Sequence, residues 1–486
     1  MSIWLATRDL RVHDNPALAD AVAAAGRGAG AGARAGRGAD SGAPPCVVPL
    51  FVVDPAIRKP PNRSAFLAAA LADLDRALRE RGAGLVVRFG DPAVEALRVA
   101  HETGARAICI AGDVSATAQA RLARLARACE KQGVELRVSP GPTVVPPGAL
   151  VPDGDPARTA YQVFTPYWRR WAAAGVGPAA GVGPAAEWRP LAPTPARLAL
   201  PAGSPPGSLP SAADLAPGGS PSSRLPDGGE AAGSERVRAW LAGPVDAYDA
   251  MRNDLAADST SRLSPYLHLG CISPLALATR LTGRPEAEPF LRQLCWRDFY
   301  AQLLAARPDT SHADLRPRPA AWVDDAQGLA AWQEGLTGYP VVDAAMRQLA
   351  EEGFVHNRAR MVVASFLTKH LGVHWREGAR WFDEWLVDGD VASNVGNWQW
   401  VAGTGADTKP HRVFNPTLQG QRFDPSGAYV HCWVPELAGV PGKAVHEPWR
   451  LPHAERAALR YPLPIVDHAD AVARYRASAA VTGAEP

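Results

Sequence analysis

The sequence lacks several features that would assign a protein to a class at once. None of its six cysteines forms a C-x-x-C pair, which argues against a zinc site or a disulfide framework and indicates buried thiols in a reducing compartment such as the cytoplasm. No run of 18 apolar residues occurs, so we expect no membrane span, and the charged N-terminus does not resemble a signal peptide. There is no P-loop and no G-x-S-x-G after a predicted strand, which argues against a nucleoside triphosphatase and a serine hydrolase.

The sequence also has no large excess of positive or of negative charge. The 486 residues carry 51 Lys and Arg against 49 Asp and Glu, a net charge of +2. A generally basic nucleic-acid coat is therefore excluded, although a local basic patch is not. Tryptophan, in contrast, is in excess, with 15 Trp beside 11 Phe and 9 Tyr. Eleven of these Trp lie after residue 234, so the explanation has to be found in the C-terminal half.

The pattern of apolar residues divides the chain into three parts. Residues 1–140 alternate between β-branched runs and helical patterns, which predicts an α/β domain with a doubly wound parallel sheet. A Gly-rich tract at 26–43 follows a helix and therefore does not fit a dinucleotide loop. Residues 141–235 are rich in Gly, Pro and Ala, and we interpret them as an interdomain linker, mobile in part. Helical spacing then predicts an all-α domain over 236–486.

Two polar motifs in the helical half could bind an anion or a heterocycle. Hydroxyl groups in Thr260–Pro265 precede an apolar helix, where hydroxyls and free N–H groups bind phosphate or form only an ordinary N-cap. In His356–Met361 the side chains of Asn357 and Met361 lie one helical turn apart and share a face. The two arginines of this motif suit phosphates or a flavin edge, or else form a solvated basic stripe.

The segment 386–400 (LVDGDVASNVGNWQW) is the most unusual of the chain. Asp388 and Asp390 resemble the beginning of a calcium loop, but the later ligands are missing, so we expect no metal there. His370 and His374 have ligand spacing without a following acid, and we interpret them as incidental. Two acids, two Asn and two Trp instead suit a polar heterocycle beside stacking surfaces.

These motifs occur together and in order in one family. The helical half resembles the photolyase/cryptochrome flavoproteins, and in particular the class I cyclobutane pyrimidine dimer photolyases. The resemblance is carried by TSRLSPYLHLGCISP (260–274), QLCWRDFY (293–300), GFVHNRARMVVASFL (353–367), HWREGARWFDEWLVDGDVASNVGNWQW (374–400) and, near the N-terminus, DLRVHDNPAL (9–18). It implies an α/β antenna domain, a helical FAD-binding domain, and a light-driven lyase that repairs pyrimidine dimers in UV-damaged DNA.

The same resemblance implies two sets of FAD contacts. The phosphates and ribityl chain would lie against Tyr248, Thr260, Ser261, Leu263 and Ser264. The isoalloxazine and adenine would be surrounded by Arg297, Asn357, Arg360, Asp388, Asp390 and Asn394. Asn394 would face flavin N5, where an amide suits the reduced, anionic flavin, whereas an acid there is the plant cryptochrome pattern.

The Trp excess receives an explanation from the resemblance as well. Trp398, Trp375 and Trp322 would relay electrons from the surface to the flavin. Trp296 and Trp400 would form the walls of a pocket for a flipped pyrimidine dimer.

The remaining substrate contacts bear on the type of lesion. Asn357 and Met361 would lie below the dimer, at two positions where (6-4) photolyases usually carry His, which favours the cyclobutane dimer. Gln293 stands where many of these photolyases have Glu, and Gln is frequent in (6-4) enzymes and animal cryptochromes, so a (6-4) photolyase is an alternative. Candidate contacts to DNA phosphates are Arg358, Lys409 and Arg412.

The antenna and the alternative function are expectations of the same kind. The region Ala111–Gln119 lacks the usual Asn and Glu contacts of a folate, so a deazaflavin antenna is favoured over a folate, or there is none. The alternative is a cryptochrome-like photoreceptor, for which we would expect more than the roughly 37 residues that follow Trp449. We expect a monomer that does not bind membranes.

Overall fold

The structure is a computed structural model that describes residues 1–27, 44–57, 60–152, 159–176, 188–202, 206–317 and 322–481. Most of the Gly-rich tract 26–43 lies outside the described residues. None of the helices in the described ranges is long and apolar enough to cross a membrane.

The N-terminal domain contains a five-stranded parallel sheet of order β3-β2-β1-β4-β5, formed by β1 (Ser2–Ala6), β2 (Val47–Val53), β3 (Val86–Phe89), β4 (Ala107–Ala111) and β5 (Glu135–Ser139). The first four strands are each followed by a helix: α1 (Pro16–Arg27), α2 (Pro61–Arg79), α3 (Pro92–Thr103) and α4 (Ala116–Gln132). Alternate side chains of β1 pack on opposite faces. Trp4 joins the core with α1 and α2, and Ile3 joins the core with α3 and α4. The predicted doubly wound sheet is confirmed.

After β5 the described chain consists of helices joined by irregular segments, and its C-terminal half is mainly helical, which confirms the predicted all-α half. Its α-helices are α5 (Phe164–Val176), α6 (Ala212–Leu215), α7 (Glu230–Leu241), α8 (Tyr248–Met251), α9 (Ser264–His268), α10 (Pro274–Leu281), α11 (Glu288–Ala306), α12 (Ala326–Glu334), α13 (Pro340–Glu352), α14 (Asn357–Ser365), α15 (Trp375–Trp385), α16 (Val391–Ala402), α17 (Pro416–Phe423), α18 (Ala428–Trp433), α19 (His453–Ala458) and α20 (His468–Val481). A π-helical turn, Phe366–His370, follows α14, and short 3-10 turns occupy Pro285–Ala287, Pro308–Ser311, Pro435–Leu437, Gly442–His446 and Pro448–Arg450.

The described parts of the linker pack against both domains. The Leu198 N–H donates to the Arg81 carbonyl beyond α2 at 2.7 Å. Further along, the Ser222 hydroxyl donates to the Ala350 carbonyl of α13 at 2.7 Å, and the Ser222 N–H donates to Asn62 of α2 at 2.7 Å. These hydrogen bonds are made largely through the backbone, and for this reason composition alone does not predict them.

A buried carboxylate, Asp298 of α11, fastens the linker to the helical domain. It accepts hydrogen bonds from the N–H groups of Val144 and Val145 at 3.0 and 2.9 Å, and from the indole N–H of Trp171 at 2.8 Å. Burial raises the pKa of Asp298 to about 6, against the opposing effect of these donors. Its neighbour in sequence, Arg297, donates to the carbonyls of Pro142 and Leu267, so the two side chains have different partners, as the sequence predicts.

We predict that Asp298→Ala destabilises the protein. Three buried donors would lose their acceptor, and each unpaired donor costs on the order of 1–3 kcal/mol, so the free energy of unfolding should fall by about 3 kcal/mol or more. Denaturant-induced unfolding measures the change, and Asp324→Ala, at an exposed position, is the control. Equal stability of the two variants would contradict the anchoring role.

Candidate functional site

The loop from Thr260 to Ser264 is held in place by Arg262. This residue has a φ of 50°, and its guanidinium pairs with Asp258 and Glu352 at 2.6 and 3.0 Å. The loop is thereby fixed without the hydroxyl of Thr260, which is buried and has no hydrogen-bond partner within the described ranges. Since a buried hydroxyl without a partner is unfavourable, Thr260 fits the phosphate of a bound FAD.

The other residues expected near the phosphates surround the same loop. The Ser261 hydroxyl accepts from the Leu263 N–H at 3.3 Å, and Ser264 is the first residue of α9. Tyr248 begins α8, and its ring packs edge-on against Phe290 with the centroids 5.5 Å apart. Burial raises the pKa of Tyr248, which keeps its hydroxyl neutral.

Arg360 of α14 forms a two-bond ion pair with Asp388. The N···O distances are 3.2 and 2.9 Å, and the Asp388 side chain is only 4% exposed. The Nε of Arg360 donates to the Val355 carbonyl at 2.8 Å, which fixes the remaining direction of the guanidinium. Paired N–H···O bonds of this kind fix geometry as well as adding energy, so α14 and the loop before α16 are rigidly joined.

The amide of Asn394 has a defined orientation. Its Nδ2 donates to the Ala379 carbonyl of α15 at 2.9 Å, and a carbonyl can only accept, so the nitrogen of the amide has to face that way. The Oδ1 atom is therefore directed elsewhere and can accept a hydrogen bond from a ligand. This is the chemistry required opposite the N5 position of a reduced flavin.

The guanidinium of Arg8 lies between the two domains and binds Asp390, the residue that precedes α16. Arg8 follows β1 and pairs with Asp113 at 3.1 Å and with Asp390 at 2.5 Å. Burial would raise the pKa of Asp390, but the charges of Arg8 and Arg297 outweigh burial and hold it below its usual range. Burial and Arg8 together keep the pKa of His268 well below its ordinary value, so this imidazole is neutral.

The same residues line a cavity of about 440 Å³ between the domains. Its polar wall is formed by Arg8, Asp113, Arg297 and Asp390, and its apolar wall includes Val138, Pro140, Ala301 and Ala305. Arg297 and Asp390, both expected around the flavin rings, thus also face this cavity. The sequence reasoning missed Arg8 and Asp113. The available signal was the charged motif that directly follows β1.

Trp296 on α11 is braced by other aromatic rings. The ring of Phe164 stacks on it with a centroid distance of 3.7 Å and an interplanar angle of 3°. Phe299 meets Trp296 edge-on at 5.4 Å, and Tyr300 lies 5.6 Å away. Phe164 is the first residue of α5, so the linker supports one face of the Trp296 indole.

The other side chains expected near the dimer each contact a residue of their own helix, as is seen for Asn357, Met361 and Gln293. The Asn357 Nδ2 lies 4.0 Å from the Met361 sulfur, which confirms that the two side chains share one face of α14. Gln293 of α11 donates through Nε2 to the Pro289 carbonyl at 3.3 Å. This bond uses one amide proton and leaves the carbonyl end of the side chain as an acceptor.

The guanidinium of Arg358 lies near those of three other arginines, Arg252, Arg412 and Arg422. Its Nε and Nη2 atoms bind the Asn253 side-chain oxygen at 3.1 and 2.7 Å. Burial and the charges of Arg422, Arg252 and Arg412 lower the pKa of Arg358. A cluster of like charges is unfavourable in the free protein, and it produces a positive patch despite the balanced total charge.

The positive patch adjoins Trp400 on α16. The guanidinium of Arg412 lies 5.5 Å from the Trp400 ring centroid, and Lys409 is exposed on the same turn. A Cβ atom on Gly396 would overlap the ring of Tyr300, so α16 and α11 are in close contact there. Trp400 lies one turn after this contact, and Trp296 lies one turn before it on α11.

The three Trp residues of the expected relay run from the interior towards the surface. Trp398 and Trp375 are buried, and Trp322 is half-buried. The ring of Trp398 fills the space that a Cβ on Gly378 would need, one turn from Trp375 on α15. His374 lies between the outer pair, 4.7 Å from Trp322 and 5.7 Å from Trp375. The sequence reasoning did not identify this intervening imidazole.

No group of three or more His, Cys, Asp or Glu side chains that could hold a metal occurs in the described part of the chain. His370 contacts His468 at 2.9 Å, and His374 caps α15 by accepting from the Arg376 N–H at 3.2 Å. Both histidines thus have structural partners.

Two family models match the two halves of the chain. One family model, DNA photolyase, matches residues 2–185, and a second, the FAD binding domain of DNA photolyase, matches residues 290–481. The deoxyribodipyrimidine photo-lyase of Streptomyces griseus is 49% identical over 98% of each chain. Cryptochrome DASH of Gloeobacter violaceus is 35% identical, over 96% of this chain and 92% of the relative.

Two solved structures extend the comparison to the fold. A bacterial class III photolyase from Agrobacterium tumefaciens superposes with a TM-score of 0.84 at 32% identity, covering 100% of this chain and 98% of the other. An archaeal photolyase from Sulfolobus tokodaii, solved with two FAD molecules, has a TM-score of 0.79 at 29% identity, with 98% and 99% covered. Because the matches span both domains and nearly the whole length, the chain belongs to the photolyase/cryptochrome family of FAD-binding proteins.

Proposed function

We propose that the chain is a light-driven DNA repair lyase, of the class I type, that splits cyclobutane pyrimidine dimers. The observation that carries this proposal is the group of guanidinium side chains around Arg358, which reaches Trp400 through Arg412. A positive patch beside an aromatic face suits a DNA strand with an unstacked base. Photoreception alone does not require that combination. Relatives named deoxyribodipyrimidine photo-lyase support the same reaction.

The proposed roles follow from the contacts of each side chain. Reduced FAD, when bound, supplies the photoexcited electron that opens the cyclobutane ring and then returns. Thr260 would hydrogen-bond its phosphate, and Asn394 would accept a hydrogen bond from the flavin N5–H through Oδ1, because its Nδ2 donates to the Ala379 carbonyl. Arg360 and Asp388 fix the wall of the flavin pocket by their two-bond pair. Trp322, Trp375 and Trp398 carry electrons inward when the flavin has become oxidised.

The dimer is held by stacking and by a few polar contacts. Trp296 and Trp400 provide the faces against which the flipped pyrimidines stack, and Asn357 and Met361 lie beneath them. Gln293 presents its carbonyl oxygen to a pyrimidine N–H, since one of its amide protons is used by a backbone carbonyl. Gln cannot supply a proton or a negative charge, as a Glu at this position could. Because Gln is frequent at this position in (6-4) enzymes, a (6-4) lesion is the alternative substrate.

The DNA strand is positioned by its phosphates. Arg358, Lys409 and Arg412 are the proposed contacts, and the neighbouring guanidinium groups of Arg252 and Arg422 extend the same patch. Binding phosphates relieves the mutual repulsion of these cations, and the affinity for DNA should therefore fall with salt.

The interdomain cavity is the proposed site of an antenna chromophore. Its volume of about 440 Å³ suits one flat ring system. The cavity wall offers both acids and guanidinium groups together with an apolar side, which fits a deazaflavin or another flavin better than a folate. A photolyase with two FAD molecules exists among the structural neighbours.

The first test is repair itself. Purified protein with reduced FAD is incubated with DNA containing cyclobutane dimers, in blue light and in darkness, and in parallel with (6-4) lesions. We expect light-dependent loss of cyclobutane dimers and little loss of (6-4) lesions. If neither lesion is lost, the cryptochrome-like photoreceptor becomes the better assignment, and loss of (6-4) lesions alone would assign the other repair activity.

The second test concerns the electron relay. Trp398→Phe should prevent photoreduction of oxidised FAD, because a phenyl ring is much harder to oxidise than an indole, while repair by chemically reduced protein should continue. Absorption spectra under illumination measure the first effect and the repair assay the second. Trp433→Phe, at another partly buried tryptophan of the same domain, is the control. Loss of repair in both redox states would contradict the relay role.

The third test concerns the antenna. Ala305→Trp should fill the cavity from its exposed side and remove a second chromophore while FAD remains bound, whereas Ala305→Ser should retain both. The chromophores are released by denaturation and identified by absorption and mass. A second chromophore that is unaffected by Ala305→Trp, or a wild-type protein that holds only FAD, would overturn the assignment of the cavity.

A further inference from the structure

Lys369 is a buried cation that the proposed function does not use. It lies in the π-helical turn Phe366–His370, and its residue is only 4% exposed. Its Nζ donates to the carbonyls of Pro410 (3.1 Å) and Arg412. Single π-helical turns are uncommon and are found frequently at functional sites, because they redirect the side chains of an otherwise regular helix.

The two carbonyls belong to the turn that presents the proposed DNA contacts. Lys409 and Arg412 point outward from this turn, and the Arg412 guanidinium lies 5.5 Å from the Trp400 ring centroid. The backbone of the turn faces inward, towards Lys369. The same residue, Arg412, thus has its carbonyl held from behind and its side chain placed beside the proposed stacking surface.

The C-terminal helix α20 supports the lysine. The ring of Tyr475 lies 5.5 Å from the Nζ atom of Lys369, and its hydroxyl is 3.5 Å from the Pro410 carbonyl. His468, the first residue of α20, contacts His370, and Arg474 donates to the His370 carbonyl at 3.3 Å. The helix is therefore fastened to the same π-helical turn that carries Lys369.

We propose that Lys369 is a positioning residue for DNA binding, which fixes the turn 409–412 and thereby the direction of Lys409 and Arg412. A buried ammonium group is strongly unfavourable unless its protons are bonded, so the lysine and the two carbonyls hold one another in a single arrangement. Lys369 is too deeply buried to bind a phosphate itself. Its effect on DNA therefore passes through the turn. The inference rests on the proposed DNA-binding function.

The experiment compares Lys369→Met with the wild type in binding to dimer-containing DNA over a range of salt concentrations. We expect affinity to fall roughly tenfold and the salt dependence to weaken by about one phosphate contact, because the turn no longer holds its cations in register. FAD content and the repair yield of the fully bound complex should remain as in the wild type. Lys131→Met, at an exposed position on α4, controls for the loss of one positive charge.

A double variant separates positioning from a direct contact. If Lys369 acts through Arg412, Lys369→Met should weaken binding much less in an Arg412→Gln background than in the wild type. Lys369→Gln, which keeps one donor for the carbonyls, should give an intermediate affinity and serves if the Met variant does not fold. Unchanged affinity of the Lys369 variants, or equal effects in both backgrounds, would overturn the inference. Failure of the wild type to prefer dimer-containing DNA would instead count against the proposed function.

Discussion

The ion pair between Arg8 and Asp390 is the interaction on which the rest of the site depends. Arg8 comes from the α/β domain, and Asp390 caps α16 by accepting from the Ser393 N–H at 2.9 Å. An N-cap fixes where a helix begins and how it is oriented. Helix α16 carries Asn394, Trp398 of the proposed relay and Trp400 of the proposed dimer pocket. Because Arg8 of the α/β domain holds the beginning of α16, that domain determines the position of all three. The two domains are thus parts of one functional unit.

Close packing then prevents α16 from adjusting independently. Gly396 meets the ring of Tyr300, and Gly378 of α15 meets the ring of Trp398, each at a distance that leaves no room for a Cβ atom. Well-packed interiors transmit small displacements instead of absorbing them. The proposed flavin contact at Asn394 and the proposed stacking surface at Trp400 are therefore held at a fixed separation along one rigid helix.

The sequence predicts the repeating elements well, because they depend on local periodicity. The parallel, doubly wound arrangement of the sheet is confirmed, and so is the helical half. The different directions of Arg297 and Asp298 also follow from helical geometry alone. The direct partners of site residues are harder to foresee. Arg8 and Asp390 are 382 positions apart, and no local pattern indicates their contact.

The same limit applies to the supports of the aromatic walls. Phe164 lies in a segment whose composition predicts a linker, yet its ring stacks on Trp296 at 3.7 Å. Lys369 lies in an apolar helical run, where a single lysine ordinarily reaches solvent along the helix surface. In the structure a π-helical turn directs it inward to two carbonyls instead. Such contacts depend on tertiary packing, and only the residues that would touch the ligand could be anticipated, through the family resemblance.

Exposed cations and cations withdrawn from water therefore have different roles. Lys409 and Arg412 are exposed near Trp400, where under the proposed function they would bind phosphates whose position varies with the DNA. Arg8 is half-buried and Lys369 is buried, and a cation withdrawn from water is tolerated only when carboxylates or carbonyls satisfy its protons. That requirement permits one geometry and resists displacement. Under the proposed function, the exposed charges would therefore capture the strand, while Arg8 and Lys369 would keep the flavin contact, the aromatic walls and the turn 409–412 in a constant relation.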